Sequence, residues 1–179
     1  SEQAHLPQLR ASGDVLELMA GDLALDAAGA EQIFSHARVS ITRELAAALA
    51  ERTEGWPVGM QLAAAIAGES GGEALTISGD DRYVADYLYR VSLSQLPEAT
   101  QRFLRYTAVP DQICASLGDA LLGGSGSQQH LRDLEAANLF LIPLDRQRGW
   151  YRYHALFREF LLGELRRVEP DIVMKLHLR

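Results

Sequence analysis

Between residues 139 and 156 the apolar pattern changes period, and that change limits the folds open to the chain. "LFLIPLD" and "WYRYHAL" are short apolar and aromatic runs on either side of "RQRG". Runs of that length, separated by a tight glycine-containing turn, read as two strands of one ribbon. Three helical segments lead into them. "LPEATQRFLRYTAV" opens at Pro97, "CASLGDALLG" is short, and "SQQHLRDLEAANL" places Leu131 and Leu134 inward. A further helix after the ribbon carries Phe157, Leu161 and Leu165 at i, i+4, i+8. Three helices followed by a two-stranded ribbon is the order of a winged helix-turn-helix.

Residues 26–94 read as all helix. Asp26 is placed to cap the first segment, and Ile41, Leu45 and Leu49 form one face of the second, near 40–52. Pro57 stands at the first position of the third, where a missing N–H costs little, and Val58, Leu62 and Ile66 continue its stripe. "ESGGEALTISGDD" reads as a linker; Asp80 or Asp81 then caps a helix with Val84, Leu88 and Val91 on one face. The expected fold is mainly α: a helical domain over 26–94, then a winged helix-turn-helix with a two-stranded wing over 95–167. Residues 1–25 carry a lone strand pattern at 15–19, and a lone strand needs a sheet to satisfy its backbone. They are expected to be the C-terminal remnant of an upstream sheet domain, and 168–179 the start of a following helical segment.

Composition narrows the function classes. In 179 residues, 17 Lys and Arg face 24 Asp and Glu, a net charge of −7 that disfavours a stand-alone nucleic-acid binder. The longest apolar stretch, "GMQLAAAIAG", is far below the roughly 20 residues of a spanning helix. "SEQAHLPQLR" lacks the apolar core of a signal peptide, and the single Cys114 excludes an internal disulfide. A cytoplasmic chain without a membrane partner is expected.

No catalytic constellation or metal spacing emerges. His5, His36, His130, His154 and His177 are scattered, and Cys114 reads as a small packed residue. "GGSGS" at 123–127 lacks the lysine and preceding strand of a phosphate loop and reads as an inter-helix loop. Gln128, Gln129, His130 and Arg132 could face bases, but Asp133 and Glu135 follow at once, and only Arg146, Arg148 and Arg152 cluster near the wing. A DNA-binding winged helix stays as an alternative. Two positions are ambiguous. Pro57 in "GWP" makes a rigid turn that either presses on a planar group or merely starts a helix over a packed Trp56. His154 sits at a strand-to-helix corner, where imidazole and free backbone N–H groups suit either a phosphate or a structural role.

Several stretches together resemble one family. "RTEGWPVGMQLA", "SGDDRYVADYL", "LPEATQRFLRYTAV" and "LEAANLFLIPLDRQRGWYRYHALFREFL" are similar, in order, to a middle segment of the MalT-like, LuxR-type ATP-dependent bacterial transcription regulators of the STAND class. The resemblance covers about residues 6–167. It implies an upstream P-loop ATPase domain and a downstream sensor domain as partners, ATP or ADP as the parent's nucleotide, and no catalysis or cofactor in these residues alone. It also implies that Pro57 packs by an adenine and that His154, at the Met-His-Asp position of related proteins, touches the β-phosphate of ADP. Tyr153 and Ala155 depart from that motif. The function implied is a regulatory module sensing nucleotide state. The same module on a Ser/Thr kinase, or a protein-interaction platform, stands beside it.

Overall fold

A computed structural model describes residues 9, 11–16, 18, 20–70 and 76–177. The strand expected at 15–19 is not formed at its described members. Val15, Leu16 and Leu18 carry no regular structure, and Leu16 and Leu18 are 86% and 61% exposed. No strand among the described residues lies beside them to complete a ladder.

The helical part is built on side-chain caps. Helix α1 (Ala27–His36) starts where the Asp26 carboxylate accepts the Gly29 N–H at 2.9 Å. Helix α2 (Arg43–Arg52) starts where Thr42 Oγ1 accepts the Leu45 N–H at 3.2 Å. Helix α3 (Pro57–Ser70) opens on Pro57, as the sequence predicts. Its buried face is Met60, Ala63, Ala64 and Ala67, whereas Val58, Leu62 and Ile66 are only half-buried. Small alanines let α1 and α3 pack closely, so the larger residues flank the contact rather than form it.

Helix α4 (Arg82–Leu88) is capped by Asp81, which accepts the Tyr83 N–H at 3.1 Å. Val84 and Leu88 are buried as expected, but Val91 is 51% exposed. The cause is a turn of π-helix, Tyr89–Leu93, which carries more residues than an α turn. It rotates Val91 outward and brings Ser92 and Leu93 in. The segment read as a linker is also structured where it is described. Ile77 is buried, and Gly79 lies so close to the helix Ala155–Val168 that a Cβ there would sit 2.0 Å from the Leu156 carbonyl oxygen.

The winged helix follows as expected: α5 (Glu98–Thr107), α6 (Ala115–Leu122), α7 (Ser127–Ala136), β1 (Leu141–Pro143), β2 (Tyr151–Tyr153), and then α8 (Ala155–Val168). The strands are antiparallel, with Leu141 opposite Tyr153 and Pro143 opposite Tyr151. Ile113, between α5 and α6, exchanges hydrogen bonds of 2.8 and 2.9 Å with Tyr151 and extends the ribbon. The turn between the strands is closed by Asp145, which accepts the N–H groups of Gly149 and Trp150 at 3.1 and 2.8 Å. "GGSGS" is the loop from α6 to α7, with Gly123 and Gly126 at φ 69° and 106°. Cys114 is the half-buried N-cap residue of α6. A short helix, α9 (Ile172–His177), ends the described chain.

Most buried apolar residues of the two parts form one continuous cluster, and Ala30, Ala46 and Met60 form a second, smaller one. Phe34, Leu49 and Ala63 join Leu88 and Leu93, and these join Phe103, Leu131, Tyr151, Phe157 and Leu161. Among the described residues no helix is long and apolar enough to cross a membrane.

Candidate functional site

The two ambiguous sequence motifs meet. Helix α2 ends at Arg52, and residues 53–55 turn the chain tightly into α3. Glu54 and Gly55 have φ of 49° and 71°. Gly55 is required twice, by its left-handed φ and by space: a Cβ would lie 2.6 Å from that of Ala24. The turn therefore projects Glu54 and Trp56 toward the winged helix. From the other side comes the strand-to-helix corner of β2 and α8, which carries Arg152, His154 and Ala155.

His154 is 7% exposed. Its Nε2 lies 2.8 Å from the Thr53 carbonyl oxygen, which can only accept, so Nε2 carries the proton of the neutral ring. Its Nδ1 is buried with no hydrogen-bond partner. The His154 N–H donates to the Phe140 carbonyl at 2.9 Å. Burial depresses the His154 pKa below its ordinary 6.5, outweighing the Thr53 carbonyl and the Glu54 charge; Arg152 and Arg52 add to the depression. The ring is neutral at neutral pH.

Around it stands an aromatic wall. Trp56 meets His154 at 5.8 Å and Phe140 at 5.2 Å between ring centroids, both edge-on. Phe140 also stacks on Phe157 at 4.9 Å. Phe140 holds φ at 54°, which for a bulky residue costs roughly 1–3 kcal/mol and is retained only where the surroundings enforce it. A cavity of about 240 Å³ opens between these groups, lined by Glu54, Gly55, Trp56, Asn138, Phe140, Leu141, Ile142 and His154. Pro57 starts α3 next to this cavity, half-buried, and is not one of its lining residues; the adjacent Trp56 is.

Glu54 joins the two halves of the site. Its carboxylate accepts two hydrogen bonds from the Arg152 guanidinium, at 2.9 and 2.7 Å, and one from the Ala155 N–H at 2.9 Å. Burial pushes its carboxyl up, but the bonds from Arg152 and Ala155 outweigh it and hold the pKa below the ordinary 4.5. A second crossing pair lies nearby. Arg52 contacts Glu159 at 2.5 Å, and Glu159 also accepts the Gly79 N–H at 2.9 Å.

Sequence reasoning singled out His154 but passed over Glu54, Phe140 and the pairing of Arg152. A glutamate before a turn glycine carries no signal of what it will face 98 residues later.

The helix-turn-helix surface is electrically mixed. Gln128 and Gln129 are exposed, and Gln129 donates to Asp133 at 2.8 Å. Arg148 pairs with Glu135 at 3.1 Å. Two of the three arginines near the wing, Arg148 and Arg152, are thus already matched by carboxylates.

The chain is similar to known proteins. Residues 90–173 match the MalT winged helix domain. The serine/threonine-protein kinase PknK of Mycobacterium tuberculosis is 28% identical over 99% of this chain and 16% of its own length. The HTH-type transcriptional regulator MalT of Cronobacter sakazakii is 30% identical over 95% of this chain and 20% of its own length. MalT of Vibrio cholerae is 33% identical over 63% of this chain and 13% of its own. The chain spans a fifth or less of each of these relatives. It is a MalT-like chain, and its residues 90–173 are the winged helix domain found in MalT-type regulators.

Proposed function

We propose that the chain is the regulatory helical and winged-helix module of a nucleotide-switch transcriptional regulator, with His154 reading a phosphate of a nucleotide held by an adjoining ATPase domain. The observation that carries this reading is His154 itself. It is buried, with an orphaned Nδ1, beside an aromatic-walled cavity where the "GWP" turn meets the start of α8. Natural chains leave few buried polar atoms unpaired, and an absent ligand is one of the reasons when they do. Trp56 and Phe140 supply ring faces of the kind that pack on a base, and Pro57 fixes the turn that presents Trp56. An ATPase domain upstream and a sensor domain downstream are the partners of such a module.

The mechanism is a population shift. ADP bridging the ATPase domain and the winged helix favours a closed state, and its exchange releases that state. A hydrogen bond from imidazolium to phosphate supplies roughly 1.5–3 kcal/mol of bias, enough for a tenfold change in occupancy or more. Because Nε2 is committed to Thr53, Nδ1 must take up a proton to donate, so the bound phosphate also raises the histidine pKa. The test is the full protein with its ATPase domain, wild type against His154→Ala, assayed for co-purified ADP. Loss of ADP with the fold intact by circular dichroism is expected. Equal ADP in both would return His154 to a purely structural corner.

The match to PknK supports a second setting for the same module, as part of a serine/threonine kinase. Direct duplex binding is disfavoured by the carboxylates that face Arg148 and Arg152.

A further inference from the structure

We infer that Glu54 is a built-in competitor for phosphate: its carboxylate fills an anion seat formed by the Arg152 guanidinium and the Ala155 N–H beside His154, and a diphosphate enters only by displacing it. The inference rests on the reading that a nucleotide phosphate approaches His154, and adds what stands in its way.

The seat has the parts of a phosphate site. A guanidinium offers a planar fork that matches carboxylate and phosphate alike. Arg152 presents that fork to Glu54 at 2.9 and 2.7 Å. Helix α8 runs for 14 residues from Ala155, whose N–H points at the same carboxylate oxygen. The helix start therefore adds a partial positive charge to the fixed one. The N-cap residue, His154, makes no capping bond with its own side chain, so the anion that caps α8 comes from a different part of the chain.

A second observation points to a ligand independently of the helix end. His154 is only 7% exposed, and its Nδ1 has no partner. Glu54 accepts from Nη1 and Nη2 of Arg152 and from the Ala155 N–H, and leaves the neighbouring His154 Nδ1 without a partner. Glu54 and His154 border the same cavity of about 240 Å³. That is below the roughly 300 Å³ at which small-molecule pockets begin, and Arg152 and Ala155 are not among its lining residues, so Glu54 stands where the cavity meets the seat. Swinging Glu54 out both enlarges the space and frees the Arg152 fork for another anion.

The exchange has a structural consequence. Glu54 belongs to the α2–α3 turn, and Arg152 and Ala155 to the wing and α8. With Glu54 seated, the helical part is tied to the winged helix; with phosphate seated, that tie is released. Nucleotide and interdomain tie thus compete for one arginine.

The test uses the 179-residue chain and inorganic pyrophosphate as the probe, by calorimetry and by following the His154 ring and Ala155 amide resonances. Glu54→Gln removes the charge and keeps an acceptor for Ala155. It is expected to bind pyrophosphate about tenfold or more tightly than wild type, with both resonances shifting, because a charged competitor has gone. The double variant with Arg152→Gln is expected to lose that gain. Equal affinity in wild type and Glu54→Gln, with His154 shifting in both, would overturn the competitor and leave the phosphate-reading histidine standing. A gain in Glu54→Gln without any shift at His154 would support the seat and remove the histidine from it. No binding to either protein, each folded by circular dichroism, would overturn the seat and its competitor, while the phosphate-reading histidine is decided separately by the ADP assay on the full protein.

Discussion

At His154 the fold holds a neutral imidazole against its own tendency to protonate near neutral pH. In the unfolded chain the ring titrates at its ordinary 6.5; in the folded chain burial holds it lower. The unfolded state therefore binds more protons as pH falls below 6.5, and stability declines through that window. Glu54 and Glu159 have the opposite starting charge and act lower. Their pKa values are held below 4.5, so their contribution is present above that pH and is lost as pH falls beneath it. Urea unfolding from pH 7.5 to 3.5 should show two declines, and His154→Gln, whose amide can still donate to Thr53, should remove only the upper one. A wild-type curve flat between pH 6.5 and 5 would mean that the ring is not held neutral. The strand-to-helix corner that isolates His154 was legible because "YRYHALF" changes period at that residue. Its partner was not: Thr53 lies 101 residues away, and nothing local encodes that meeting. Arg152 was visible only as one of three basic residues near the wing, since a sequence does not say which of them finds a carboxylate.

Elements were more legible than their faces. Asp26, Asp81 and Pro97 mark where helices begin, because a helix start needs a local acceptor or a missing N–H, and both are written in neighbouring residues; the cap at Thr42 was passed over. Which side of α4 continues inward was not legible, because a π turn leaves no signature at the α-helical period. The structure exchanges Val91 for Leu93, and this exchange is directly measurable. Leu93→Ala should cost about 2–5 kcal/mol, as deletion from a tightly packed core does, whereas Val91→Ala should change stability by less than about 0.5 kcal/mol. The reverse ranking in urea midpoints would restore the uninterrupted α-helix that the spacing suggests. The segment at 76–81 is a connecting loop, as read, but its packing was not legible for a related reason. Gly, Ser and Asp signal flexibility when solvated, but Gly79 serves close backbone approach to α8 and Ile77 fills the core. Composition cannot separate a glycine that loosens a chain from one that lets two backbones touch.

Across the whole molecule the question is whether the helical and winged-helix parts behave as one cooperative body. Buried side chains run without a break from Phe34 to Leu165, and polar links cross the same boundary, among them Arg52 to Glu159, Arg152 to Glu54 and His154 to Thr53. The ion pairs are partly exposed, so each contributes little by itself; the shared apolar core carries most of the coupling. That combination suits a switch, because polar links can be exchanged for a ligand while the core keeps the two parts folded. The two tryptophans allow a test. Trp56 reports the junction and Trp150, 45% exposed, reports the wing. In Trp150→Phe, the fluorescence of Trp56 and the far-ultraviolet circular dichroism should follow one transition with the same urea midpoint, as two-state unfolding requires. Glu54→Gln should move both midpoints down together. If Trp56 instead became exposed at lower urea than the helices melt, the junction would be a separate unit that opens first. The seat at Arg152 would then empty without any ligand to displace Glu54.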